Sequence, residues 1–241
     1  MKNWYATWFD TPYYHLLYKN RNQMEAGNFI ENLLQHLKPS KEALFLDIAC
    51  GKGRHSKHIH QLGFNVHGID LSEKSIKEAS IFNNEQLHFE QHDMREVYRS
   101  NYFDYAVNLF TSFGYFDDVS DNQKAMDAMA KNLKKDGILV IDFMNAKKVC
   151  LSLVEKEMKS VDYIDFYIER KIKSGFIQKD IQFTDKGKKH HFQEKVQALT
   201  LNDFSNLLQK AGLKIIDLWG NYEKNDFDVL KSNRLIIIAQ K

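Results

Sequence analysis

Proline and cysteine are nearly absent from this chain, with two of each in 241 residues. Cys50 and Cys150 show no metal-ligand spacing, and so few cysteines point to reduced thiols instead of a disulfide framework. No Pro-, Gly- or Ser-rich linker, internal repeat or low-complexity tract divides the sequence, so nothing forces it into independent domains. With 43% apolar and 27% charged residues it can bury one sizeable α/β core. The formal charge of +2 lacks the basic excess expected where phosphate backbones are the main partner, so nucleic acid is not the expected substrate. No apolar run reaches bilayer-spanning length, and the stretch from Met1 to Tyr5 carries no apolar signal core. The expectation is a cytoplasmic protein without membrane contact, working as a monomer or homodimer.

What is present is concentrated between Ala43 and Ser72. Leu44, Phe45, Leu46 and Ile48 form a short buried strand, and Asp47 sits where it runs out into Ala49, Cys50, Gly51, Lys52 and Gly53. Glycines at 51 and 53 let the backbone turn sharply and approach a ligand. A helix from Arg54 to Leu62 stops at Gly63, and a second strand, Asn65 to Ile69, ends at Asp70. That position is where α/β nucleotide folds place a carboxylate against ribose hydroxyls. The third glycine of a dinucleotide-binding turn is missing, replaced by Ser56. A carboxylate at Asp47 would repel a pyrophosphate but suits a ligand carrying sulfonium and ammonium charges. The predicted cofactor is therefore S-adenosylmethionine, with S-adenosylhomocysteine as product, in preference to NAD. The ligand's methionine carboxylate would lie near the free N–H groups of the following helix.

Through Leu46 to Arg54 and Gly68 to Ser72, the sequence resembles class I S-adenosylmethionine-dependent methyltransferases. The resemblance continues through His92 to Met94, Phe103 to Phe110 and Gly137 to Phe143, and is loosest from Cys150 to Thr200. It implies that Asp47, Ala49, Gly51 and Gly53 line the methionine end of the cofactor, that Asp70 holds the ribose and that Leu71 packs on adenine. It also implies that Asp93 accepts from the adenine amino group beside Met94, and that Asn108 and Leu109 face the methyl-transfer zone. In related methyltransferases the preceding segment closes on the cofactor, which nominates Tyr14 and Arg21. Arg21 would be a bidentate partner of the methionine carboxylate, with Arg54 as a rival.

The pattern along the chain is α/β: a Rossmann-like, seven-stranded, mostly parallel sheet with helices on both faces, plus an inserted antiparallel β cap. Residues 1–241 are read as a single domain comprising an aromatic and helical lid (1–40), a cofactor-binding core (41–149), the cap (150–199) and a C-terminal helix with the last two strands (200–241). Helices are predicted from Met24 to Leu37, after Ser72, through Ala125 to Leu133 and after Thr200; the fifth strand is predicted at Ile138 to Phe143, and the last two strands pair antiparallel. In the cap, Ile164, Phe166, Ile168 and Ile172 alternate with polar residues, as do Ile177, Ile181 and Phe183, and then Phe192, Val196 and Ala198. This predicts three strands joined by turns at Ser174–Gly175 and Asp185–Gly187. The cap either covers the substrate or serves as a packing or dimer surface.

Upstream, Trp4, Tyr5, Trp8, Phe9, Tyr13, Tyr14 and Tyr18 make an aromatic arm expected to fold over the pocket. Methyl transfer is an in-line displacement whose activated group comes with the cofactor, so the protein mainly positions reactants. Should the acceptor need to lose a proton, His15, Tyr115 and Asp118 are the candidate bases. Phe113 to Phe116 are expected at the substrate wall. No metal site is expected: only His55 and His58 of the three histidines in the Arg54 helix share a face, without a further ligand. His190 and His191 sit at a basic hairpin tip, the best place to test weak nucleic-acid binding. The expected function is methyl transfer to an N, O or C atom of a small molecule. The alternatives are a non-catalytic cofactor-binding or RNA-associated module and, disfavoured by Asp47 and Ser56, an NAD-dependent oxidoreductase.

Overall fold

The computed structural model describes residues 8–19 and 23–241, with side chains from residue 27 onward in the second stretch. Trp4, Tyr5, Arg21 and Asn22 of the arm lie outside the described residues. In chain order the elements are α1 (Pro12–Leu17), α2 (Gln23–Leu37), β1 (Leu44–Ile48), α3 (Arg54–Gln61), β2 (Asn65–Asp70), α4 (Glu73–Ala79), β3 (Leu87–Gln91) and β4 (Phe103–Asn108). There follow α5 (Ser120–Asn132), β5 (Leu133–Met144), α6 (Ala146–Leu151), β6 (Lys156–Val161), β7 (Ile164–Lys173), β8 (Phe176–Asp185), β9 (Lys188–Gln197), α7 (Leu201–Lys210), β10 (Lys214–Trp219) and β11 (Arg234–Gln240).

Seven strands form one sheet in the order β3-β2-β1-β4-β5-β11-β10. The pairs from β3 to β5 are parallel, while β11 runs antiparallel to both β5 and β10. Strand order reverses between β1 and β4, the crevice where open α/β sheets bind ligands at the C-terminal strand ends. Both faces are covered, which explains why β1 reads as a nearly continuous apolar run. On one face Met126 and Met129 of α5 and Phe204 and Leu208 of α7 pack on Leu46, Leu139 and Ile237. On the other, Phe29, Ile30 and Leu33 of α2 and Ile59 of α3 pack on Phe45, Val66 and Ile236. Ser72 caps α4 by accepting from the Ser75 N–H at 3.0 Å, and Thr200 and Asp203 form a reciprocal capping box at the start of α7.

Strands β6 to β9 form a separate antiparallel sheet. It has four strands, not the three predicted. The extra strand, β6, is an edge strand exposed along most of its length, with only Val161 buried, so it carries no apolar alternation. The turns fall as expected: Ser174 and Gly175, and Lys186 and Gly187, adopt left-handed backbone in consecutive pairs, the geometry of tight hairpins. β5 begins at Leu133, five residues earlier than predicted, because α5 passes directly into extended backbone at Leu133. The register against β4 then shifts between Phe103 and Tyr105.

Ile164, Phe166, Ile168, Ile181 and Phe183 pack against Trp8, Leu17 and the α1 aromatics. The arm therefore covers most of the apolar face that a lone antiparallel sheet would leave bare.

Candidate active site

A cavity of about 1230 Å³ opens at the C-terminal ends of the parallel strands. Its floor comes from the main sheet, and its roof from α1 and the antiparallel sheet. Of the predicted residues, Tyr14, His15, Asp47, Ala49, Gly51, Asp70, Leu71, Asp93, Met94, Leu109 and Tyr115 all line it.

The turn after β1 is shaped by backbone conformation. Ala49, Gly51 and Gly53 have φ of 60°, 55° and 73°, so the chain alternates through the left-handed region. A Cβ on Gly51 would meet nothing within 4 Å, leaving open cavity beside the backbone. Gly53 does not line the cavity; it stands at the N-cap of α3, where a Cβ would lie 2.3 Å from a ring carbon of Phe89. Gly53→Ala is therefore expected to destabilise the protein by about 2–4 kcal/mol through backbone strain and overpacking. Calorimetric melting checks this; an unchanged melting temperature would contradict the packing described here.

Two acids face each other across this turn. Asp47 is buried, and burial pushes its carboxyl up to about 7 even though Ser56 Oγ donates to Oδ2 at 2.5 Å. Asp70 is pushed up by burial as well, while Oδ2 accepts from the Gly51 N–H and Oδ1 from the Ser72 N–H, both at 2.8 Å. The fixed carboxylate anchors the glycine turn and keeps unused lone pairs toward the cavity. Farther along the floor, burial raises Asp93, but bonds from Arg95 through Nε at 3.0 Å and Nη2 at 2.6 Å outweigh it and hold the carboxyl below the ordinary range. Arg54 sits with its guanidinium 4.6 Å from the Phe110 ring centroid and also lines the cavity.

The roof carries charge that strand periodicity did not single out. Lys179 and Glu194 pair across β8 and β9, beside Ile177 opposite Val196, and all four line the cavity. Trp8 Nε1 and Tyr18 OH both donate to Glu194 Oε1, at 2.8 and 2.7 Å, so the arm clasps the second sheet through this carboxylate. Asp10 accepts from Ser72 Oγ, and its carbonyl accepts from Lys74 at 2.7 Å, fastening the arm's other end to α4.

Besides Gly53, two predicted positions stand outside the cavity. Asn108 is fully buried, and its Nδ2 donates to the Ile48 carbonyl at 2.9 Å, tying β4 to β1. Asp118 is exposed outside the cavity; its carboxylate accepts from the Ser120 N–H at 2.8 Å and so organises the start of α5. Arg21 lies outside the described residues. Among the candidate bases inside the cavity, burial first and then Lys52 lower the pKa of His15, keeping the imidazole neutral, and Tyr115 OH donates to the Thr111 carbonyl. His190 stacks 4.9 Å from Phe183 beneath the arm. Among the described residues no cluster of three or more His, Cys, Asp or Glu could hold a metal, and no helix is long and apolar enough to cross a membrane.

Residues 39–212 match the family described as Methyltransferase domain. A dTDP-3-amino-3,4,6-trideoxy-alpha-D-glucopyranose N,N-dimethyltransferase of Streptomyces venezuelae is 30% identical over 132 residues, which is 54% of each chain. The chain thus spans about half the length of the curated relatives it matches. Among solved structures, an S-adenosylmethionine-dependent methyltransferase from Clostridium acetobutylicum superposes with a TM-score of 0.80 at 19% identity, covering 95% of both chains. The S-adenosylmethionine-bound CalS10, an amino pentose methyltransferase from Micromonospora echinaspora, gives 0.71 at 16% identity, covering 95% of this chain and 97% of that one. Likenesses this remote establish the Rossmann-like fold.

Proposed function

Because the chain belongs to the methyltransferase-domain family, we propose that it moves the methyl group of S-adenosylmethionine to a nitrogen or oxygen of a small molecule. The observation that carries this reading is the buried Asp47 beside a left-handed glycine turn that opens onto a cavity of about 1230 Å³. That volume exceeds the roughly 300–1,000 Å³ typical of a single small-molecule site, which leaves room for an acceptor beside the cofactor.

Asp47 faces the cationic end of the cofactor, Gly51 gives it backbone approach, and Asp70 accepts from the ribose hydroxyls. Leu71, Asp93 and Met94 form the adenine wall. Tyr14 and Leu109 close the methionine side, and Asn108 acts indirectly by holding β4 to β1. Among the described cations that line the cavity, Arg54 is the candidate for the methionine carboxylate, with Arg21 as its rival. The cofactor supplies the activated methyl group. The protein aligns the acceptor, excludes water under the arm and second sheet, and offers His15 as a neutral proton acceptor. Amine methylation by the dTDP-amino sugar relative supports a nitrogen acceptor here. Arm, core, cap and C-terminal strands act on this reading as one methyltransferase domain, because arm, core, cap and the last strand all contribute to the cavity wall.

A thermal-shift screen followed by a labelled-methyl assay on metabolite extracts tests the proposal. S-adenosylmethionine and S-adenosylhomocysteine are expected to raise the melting temperature by several degrees, NAD to leave it unchanged, and label to appear in a small molecule. Stabilisation by NAD alone would overturn the reading; cofactor binding without label transfer would favour a non-catalytic module.

A further inference from the structure

Arg234 has no part in the roles above, yet it lines the cavity. It opens β11, opposite Met144 at the end of β5, so it stands at the same sheet edge as the ends of β4 and β5. With strands about 4.8 Å apart, β11 lies about 10 Å from β4 and about 14 Å from β1. The guanidinium therefore belongs to the half of the cavity away from Asp47 and Asp70.

One edge of the guanidinium is tied down. Nε donates to Asp142 Oδ1 at 2.7 Å, and Nη2 lies 2.6 Å from the same oxygen and donates to Thr111 Oγ1 at 3.1 Å. Asp142 is fully buried, and its Oδ2 accepts from the Phe110 N–H at 2.9 Å and from Tyr222 OH at 3.0 Å. Nη1 makes no hydrogen bond with any described residue, and 19% of the side chain remains exposed. The supporting loop is strained: Phe110 and Thr111 are consecutive non-glycine residues with φ of 59° and 62°. A buried ion pair is a poor device for stability alone, since apolar residues of like volume serve as well or better. Here the pair and the strained loop together aim one charged edge at a cavity.

Resting on the methyltransferase reading of this cavity, we propose that Arg234 is the subsite for an anionic oxygen group of the methyl acceptor, a carboxylate or phosphate. Nη1 is the donor, and Asp142 and Thr111 are the residues that position it. Arginine is always charged and presents a planar set of donors matched to such groups.

The test uses the whole protein saturated with S-adenosylhomocysteine and labelled with ¹⁵N-arginine. It is titrated at constant ionic strength with acetate, inorganic phosphate and acetamide. One guanidinium signal is expected to shift saturably with acetate or phosphate, the stronger of the two naming the group, while acetamide leaves it in place. Arg234→Lys keeps a cation opposite Asp142; it is expected to lose that signal, bind the anion at least tenfold more weakly and hold S-adenosylhomocysteine within twofold of the parent. Indistinguishable titrations by all three probes would overturn the assignment, as would loss of S-adenosylhomocysteine affinity in Arg234→Lys, which would move this group to the cofactor. Failure of the unsubstituted protein to bind S-adenosylhomocysteine strikes the methyltransferase reading instead, and the anion titration without it still reads Arg234.

Discussion

Replacing Asp47 with Asn is expected to make the ligand-free protein more stable at pH 8 while weakening S-adenosylmethionine binding by about 10- to 100-fold, the worth of a charge-assisted contact. The two effects share one cause. Burial lifts the carboxyl from its ordinary 3.8 to about 7, so the folded state prefers the neutral form. Such a group lends its full stabilisation below the unfolded pKa, and that contribution is lost as pH rises through 7. At pH 8 the native protein carries an ionised, desolvated carboxylate, a burden of order 2–4 kcal/mol that the neutral amide lacks. At about 2–4 °C per kcal/mol for a chain of this size, the variant should melt several degrees higher at pH 8. The gap should narrow by more than half toward pH 5 and close only below the unfolded value of 3.8, where both states are protonated. Calorimetry at the two pH values, with a binding titration at pH 7, checks both halves. A variant less stable at pH 8, or one with unchanged affinity, would contradict this role.

Asp70→Ala should separate the two acids. Each charged hydrogen bond to a ribose hydroxyl is worth about 1.5–3 kcal/mol, so losing both should weaken the cofactor by at least about 100-fold. Stability should change little, because two opposing effects nearly cancel. The Gly51 and Ser72 N–H groups lose an acceptor, while a buried carboxylate whose ionised form is disfavoured is removed. Titration calorimetry gives the affinity and circular dichroism the fold. Unchanged affinity with an intact fold would remove Asp70 from the ribose.

Much of this architecture is local and so legible along the chain. The β1 turn announces itself by an apolar run, an acid and two glycines; Thr200 with Asp203 marks a helix start; Ser174–Gly175 and Lys186–Gly187 supply the left-handed pairs that hairpins need. What stayed hidden depends on pairing across long separations. β6 has one buried residue, so nothing in its periodicity marks it. Lys179 and Glu194 alternate in phase with Ile177 and Ile181 and with Phe192 and Val196, but only the β8–β9 register sets the two charges opposite each other on the face that roofs the cavity. Arg234 meets Asp142 because β11 runs antiparallel to β5, which places Asp142 diagonally across from it on the same side of the sheet. The residues proposed for the cofactor fall, Tyr14 and Arg21 aside, between Asp47 and Leu109, whereas the rest of the cavity wall draws on Phe110 to Phe116, Met144, the second sheet and Arg234. Asp118 shows the converse: an acid after the fourth strand suggested a base, but a local bond to Ser120 turns it to solvent.

The most direct test of the account is calorimetric titration of the unsubstituted protein with S-adenosylmethionine at pH 5.5 and pH 7, in two buffers of different ionisation enthalpy. Binding to ionised Asp47 should be about tenfold tighter at pH 7, should release a proton into the buffer at pH 5.5, and should lose most of this dependence in Asp47→Asn. Affinity independent of pH, tightening on acidification, or no binding at either pH would contradict it.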